Sequence, residues 1–133
     1  MVKFPSWEWA VEFQARLNAN PAYAEAAQAW EADFLLRVLP EDPTAASPGI
    51  RLDLRQGTCR EATYLPETRQ VSSEFVFQGT TTNWGRLLRH EVDPLKAIVD
   101  GTFQLKGNLA KAMRFTRAAK ELMDTASGIP SEV

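Results

Sequence analysis

Between Ile50 and Arg55 the chain alternates strictly: Ile50, Leu52 and Leu54 interleave with Arg51, Asp53 and Arg55. Period two with one apolar face predicts a half-buried strand. Gln56-Gly57 then turns the chain into a partner strand over Thr58–Tyr64, most simply a hairpin. Alternation in that partner is poor, so its register stays open. Ala32–Leu39 is apolar enough for a strand covered on both faces, followed by a loop over Pro40–Gly49. After the loop Pro66–Gln70, Val71, Ser73, Phe75 and Phe77 share one face of a fourth strand, which Gly79 is predicted to end. A short fifth strand, Thr102–Lys106, puts Phe103 and Leu105 on one face.

Elsewhere the apolar spacing is helical. Ser6 caps a helix from Trp7 to about Asn18 with Trp9, Ala10, Phe13 and Leu17 as its stripe. Asn20-Pro21 starts a second, in which Tyr23, Ala26, Ala27 and Trp30 recur at one face. Thr80–Asn83 offers caps for a short helix carrying Trp84, Leu87 and Leu88. Asp93 caps the next, Pro94 fills its first position, Leu95, Ile98 and Val99 are its expected apolar face, and Gly101 stops it. Gly107 breaks the strand that follows, and Asn108 caps one long amphipathic helix over Leu109–Thr125. Ser127-Gly128-Ile129-Pro130 is expected to fray with the rest of the tail, 127–133.

One-faced strands and one-striped helices must cover each other. The expected fold is α+β: a five-stranded, mostly antiparallel sheet covered by helices, in one domain over 1–133. Within it, 1–31 is a helical lead-in and 32–126 the core. With 133 residues the chain can bury a core without metal or disulfide. A single cysteine, Cys59, excludes an internal disulfide. It fits a reducing compartment, and with no apolar leader the expectation is cytoplasmic. No apolar run is long enough to span a bilayer, so stable membrane insertion is not expected. Net charge is −2, yet residues 1–45 hold three basic and seven acidic side chains while 102–124 hold five basic and two acidic. That excess is too small for a nucleic-acid footprint but could steer an anionic head group.

Chemistry-bearing residues are sparse. His90 is the only histidine and falls near a helix end, where a cation suits the dipole. Cys59 has no base nearby in sequence and reads as a small buried hydrophobe. There is no phosphate loop and no G-x-G-x-x-G. Glu8 and Glu12 are one turn apart on a helix, and Asp93, Asp100 and Asn108 are explained by capping. No catalytic residues, metal or cofactor are expected, and the protein is read as not an enzyme; a lone carboxylate base acting on a lipid ester or thioester is the weakest alternative.

From Val71 onward the order of pieces resembles the lipid-binding domain of the sterol carrier protein type two family. A strand ending Phe77-Gln78-Gly79 precedes a short helix with Trp84 and Leu87-Leu88. Asp93-Pro94 then leads to Gly101 and Gly107, and a terminal amphipathic helix follows. The strand Ala32–Leu39 and the hairpin Ile50–Tyr64 fall in the expected order, so the resemblance spans about residues 30–126. Asn108 stands where the family usually has Asp, and the tail Ser131-Glu132-Val133 is not a peroxisomal signal. The resemblance implies an apolar tunnel between sheet and helices that takes fatty acids, fatty acyl-CoAs, sterols or other lipids without catalysis. Phe75, Phe77, Trp84, Leu88, Phe103, Leu105, Met113 and Leu122 would line it, with Arg114 or Arg117 near a head group and Met113 and Met123 adapting to the ligand. The alternative is a non-carrier accessory or oligomerisation module of the same fold. Trp7, Trp9, Tyr23 and Trp30 would then offer a partner surface, and a homodimer is left open.

Overall fold

Strand β2 (Glu31–Leu39) is the middle strand of a five-stranded sheet; its helix-facing residues Ala32, Phe34, Leu36 and Val38 are all buried, whereas the other face carries Glu31, Asp33 and Arg37 beside the buried Leu35. In this computed structural model, which describes residues 1–133, β2 pairs antiparallel with β3 (Gly49–Arg55) and parallel with β5 (Phe75–Thr80). The strand β4 (Thr58–Leu65) lies antiparallel outside β3, and β6 (Gln104–Lys106) antiparallel outside β5. The order is β4-β3-β2-β5-β6, a mixed sheet with one parallel pair. Phe34, Leu36 and Val38 of β2 face the helices, while Leu35, also fully buried, faces the other way beneath Gly49 and Thr68.

The hairpin turns on Gln56 (φ 49°) and Gly57 (φ 86°), the two left-handed residues of a type I′ turn. A bulge then sets the register that β4's sequence leaves open. Asp53 pairs with Glu61 but Leu54 pairs with Cys59, so Arg60 is the extra residue. That is why Cys59 and Ala62, three apart, both point inward. Strand boundaries differ from expectation in three places: β6 starts at Gln104 rather than Thr102, which leaves Phe103 outside it, and two differences concern β5. Val71–Glu74 lie outside β5 because their backbone is used locally: Val71 N–H donates to the Thr68 carbonyl (2.9 Å) and the Arg37 guanidinium donates to the Val71 carbonyl (3.3 Å). Gly79 does not end β5. It lies within the strand, and its missing side chain makes room for the Phe103 ring, which a Cβ would meet at 2.5 Å.

The helices α1 (Trp7–Asn18), α2 (Pro21–Ala26), α3 (Thr81–Leu88) and α4 (Pro94–Asp100) start at Ser6, Asn20, Thr80 and Asp93, whose side chains all accept from backbone N–H groups. The helix α2 is shorter than its apolar spacing suggests. It ends at Ala26, and Trp30 reaches the core from the turn before β2. On α4 the expected apolar face holds only in part: Ala97 is the buried residue and Ile98 packs against the core, while Leu95 and Val99 are exposed. The small alanine lets the helix lie close, its carbonyl accepting from Phe103 N–H at 3.0 Å.

The long terminal helix is in fact two, α5 (Leu109–Arg114) and α6 (Thr116–Ser127). Phe115 leaves helical geometry (φ −119°, ψ 33°) and stacks its ring on Trp30 with centroids 6.0 Å apart. The Thr116 hydroxyl takes up the Met113 carbonyl (2.8 Å) at the break. The tail does not fray either. Ile129 is fully buried, and β7 (Ser131–Glu132) pairs parallel with β1 (Val2–Lys3) in a second small sheet. Trp9, Tyr23 and Trp30 are buried to 1 % exposure or less, leaving Trp7 alone of the four on the surface. The partner surface expected from those aromatics is therefore mostly core. Its burial drives folding rather than association.

Candidate functional site

An apolar cavity of about 70 Å³ lies between the β2–β5–β6 part of the sheet and helices α4, α5 and α6. The sheet supplies Phe34, Phe75, Phe77 and Leu105, with Trp30 from the turn before β2. Register brings these together: Phe34 is opposite Phe75 across the parallel pair, and Phe77 is opposite Leu105. The helices close it with Pro94, Leu95 and Ile98 from α4, Ala112 from α5, and Ala119, Leu122 and Met123 from α6. Asp93, Lys120 and Asp124 are the only charged groups on its wall. The Lys120 ammonium donates to Asp124 at 2.7 Å, and that bond raises its pKa above the usual lysine value. One end of the cavity is thus polar and the rest apolar.

Of the residues expected to line a tunnel, Phe75, Phe77, Leu105 and Leu122 lie on this wall. Trp84, Leu88 and Phe103 do not: they belong to the packed core beside it. Phe103 stacks on Phe77 (4.7 Å between centroids) and meets Trp84 edge-on at 5.1 Å. The Trp84 indole N–H donates to the Arg37 carbonyl at 2.9 Å. Met113 is 76 % exposed, and Arg114 and Arg117 are exposed on the outer sides of α5 and α6, so none of the three lines the cavity. Lys120 is the cation that does.

The wall residues that the sequence had not assigned to a tunnel were Trp30, Phe34, Ile98, Ala112 and Ala119, the α4 start Asp93, Pro94 and Leu95, and the charged Lys120 and Asp124. Ala112 and Ala119 carried the one usable signal, small residues on the amphipathic face of the terminal segment, where a large side chain would close the space. The helix α5 buries no residue. It is held by the Lys111 ammonium, which donates to the Glu31 carbonyl (2.6 Å) and to Glu74 (2.7 Å).

Elsewhere the chemistry-bearing residues are accounted for by structure. Cys59 is fully buried and burial pushes its thiol up to about 12. His90 is exposed at the end of α3 with φ 63°. A wider, polar groove of about 320 Å³ on the far face of β2–β3–β4 is lined by Asp33, Arg51, Asp53, Glu61, Thr63 and Leu65. Arg55 reaches Asp33 and Asp53 (3.6 and 3.3 Å) there, so it reads as a solvated charge ladder, without an apolar wall.

Residues 11–120, most of the chain, match the SCP-2 sterol transfer family. The chain belongs to that family. Membership places it among lipid-binding and lipid-transfer proteins, whose partner is a hydrophobic small molecule. Solved structures agree. A crystal structure of sterol carrier protein 2 superposes with a TM-score of 0.87 at 29 % identity, covering 96 % of this chain and 99 % of that one. The solution structure of a conserved hypothetical protein from Thermus thermophilus, described as possibly a sterol carrier protein, gives 0.84 at 28 % identity, covering 99 % and 93 %. Palmitated SCP2L2 from Aedes aegypti shares the fold at 0.55 and 16 % identity, covering 84 % and 94 %. Among curated proteins no sequence match is found. No helix is long and apolar enough to cross a membrane.

Proposed function

We propose that this protein binds and transfers one chain-like hydrophobic ligand, a fatty acyl chain or another slender lipid, in the cavity between β5–β6 and α4–α6. The observation that carries the proposal is the wall itself: apolar side chains from the sheet and three helices, with charge confined to Asp93, Lys120 and Asp124. That is the layout of a site that buries a hydrocarbon and leaves its polar end beside a charged rim. Each methylene so buried contributes about 0.8 kcal/mol. Several together hold a ligand without polar contacts, and no step of catalysis is involved.

At about 70 Å³ the cavity is smaller than the roughly 150 Å³ that takes up benzene in an engineered core. Loading therefore requires the wall to open, and α5, which has no fully buried residue, is the segment to move. The Phe115 break gives it a hinge independent of α6. Phe103 and Trp84 stay in place in the packed core beside the cavity, and Arg114 and Arg117 lie outside it on the solvent side.

Titration with a fluorescent fatty acid, displaced by unlabelled palmitate, tests this. Saturable uptake is expected, weakened at least tenfold by Ala112→Trp and by Leu105→Trp, both on the wall, while thermal unfolding shows the variants folded. Uptake unchanged in both folded variants would refute the site. A concentration-dependent mass without any uptake would instead favour an accessory or oligomerisation module.

A further inference from the structure

We infer that the lipid carries a hydrogen-bond acceptor, an ester or ketone carbonyl set apart from its charged end, which accepts from the indole N–H of Trp30. The inference rests on the cavity being a lipid site and names the class of lipid it takes. Three indoles are buried in this protein, those of Trp9, Trp30 and Trp84. Two are satisfied: Trp9 donates to the Ser131 hydroxyl and Trp84 to the Arg37 carbonyl, each at 2.9 Å. Trp30, 1 % exposed, donates to nothing. Its backbone is fully used, N–H to the Ala27 carbonyl (2.9 Å) and carbonyl from Gln56 N–H (2.8 Å), so the orphan is the side chain alone. A buried donor without a partner is costly, and native proteins keep few of them.

Location points to a ligand as the missing partner. Trp30 lines the cavity, and away from Asp93, Lys120 and Asp124 its N–H is the only hydrogen-bond donor among the wall's side chains. Tyr23 is buried with an unpartnered hydroxyl as well, but it lies off this wall. The Trp30 ring is held from two sides, stacked on Phe115 (6.0 Å between centroids) and edge-on to Phe34 (6.3 Å), so the donor stays where it is. Donor and charged rim are well separated. Phe115, on which Trp30 stacks, precedes α6, and Asp124 lies towards the far end of that helix, roughly 13 Å along the axis. A carboxylate suits Lys120, the one cation on the wall, and the carbonyl then belongs towards the other end of the chain. A hydroxyl fits less well. It brings a donor of its own, and the side chains around Trp30 on the wall offer no acceptor.

The test compares two ligands of matched length, stearate and the monomethyl ester of hexadecanedioic acid, as competitors of a fluorescent fatty acid bound to the full chain. The ester should bind roughly fivefold more tightly than stearate. Trp30→Phe keeps a ring on Phe115 and removes the donor, so it should bring the two ligands level by weakening only the ester. Proton–nitrogen NMR of the indole groups gives a second reading that needs no variant. The Trp30 resonance, identified by its proximity to the Phe115 ring, should move downfield with saturating ester and not with stearate. Equal affinity for both ligands in the unaltered protein, a Trp30→Phe change that weakens both alike, or an unmoved Trp30 resonance would overturn the inference and leave the lipid site standing. Failure of both ligands to displace the probe would refute the site and the inference together.

Discussion

Trp9 and Ser131, 122 residues apart in sequence, share a hydrogen bond: the indole N–H donates to the serine hydroxyl oxygen at 2.9 Å. The bond ties the first helix to the last strand, and around it Val2 N–H donates to the Pro130 carbonyl and Phe4 N–H to the Glu132 carbonyl. Ile129, fully buried, is the apolar anchor of the same seam. Ile129→Ala should cost about 2–5 kcal/mol in urea unfolding. Ser131→Ala, which strands a buried donor, should cost about 1–3 kcal/mol. A frayed tail would show neither loss.

Phe103 lies on the bare backbone of Gly79, the contact that lets β6 and the turn before it sit tight on β5. Gly79→Ala places a methyl group within the ring's space, so the ring must shift and with it the stack on Phe77. We expect a loss of about 1–3 kcal/mol, measured by urea unfolding. Gly101→Ala makes a useful comparison, since nothing lies within 4 Å there and only its left-handed φ of 82° is strained. About 1 kcal/mol is expected from that backbone term alone.

Cys59 gives the pH dependence. Burial holds its thiol up at about 12 in the folded protein, against an ordinary 9.0. The unfolded chain therefore loses this proton first, so the contribution to stability is whole below pH 9 and falls as pH rises towards 12, approaching about 1.4 kcal/mol per pH unit. The Tyr23 phenol, also raised by burial, adds a loss of the same sign above pH 10.0. Urea midpoints at pH 8, 9, 10 and 11 should fall progressively, and Cys59→Ala should flatten the part between 9 and 10. A midpoint that rises over that range would contradict the burial.

Helix starts were legible because a capping side chain acts within its own turn: Ser6, Asn20, Asp93 and Asn108 all cap where their sequence spacing indicated. The strands β2 and β3 were legible for the same local reason, period-two or continuous apolarity. What failed depended on distant partners. Gly79 reads as a strand end, and only the Phe103 ring makes it a strand interior. Phe115 looks like one more residue of an amphipathic helix until Trp30 offers it a stacking partner. The tail looks loose because β1, its partner, lies at the other end of the chain.

The cavity was the hardest to see. Phe77 and Phe103 have the same character in sequence, yet one lines the cavity and the other is packed in the core beside it. Ala112 and Ala119 line it by being small, which periodicity alone does not distinguish from ordinary helix surface.

The proposed site is a cavity occupied by a lipid. Organic extraction of freshly purified protein, followed by mass spectrometry, tests it most directly. A stoichiometric lipid with an acyl chain is expected, lost from the extract of Ala112→Trp. An empty extract that stays empty after incubation with a mixed pool of fatty acids, acyl-CoAs and sterols would contradict it.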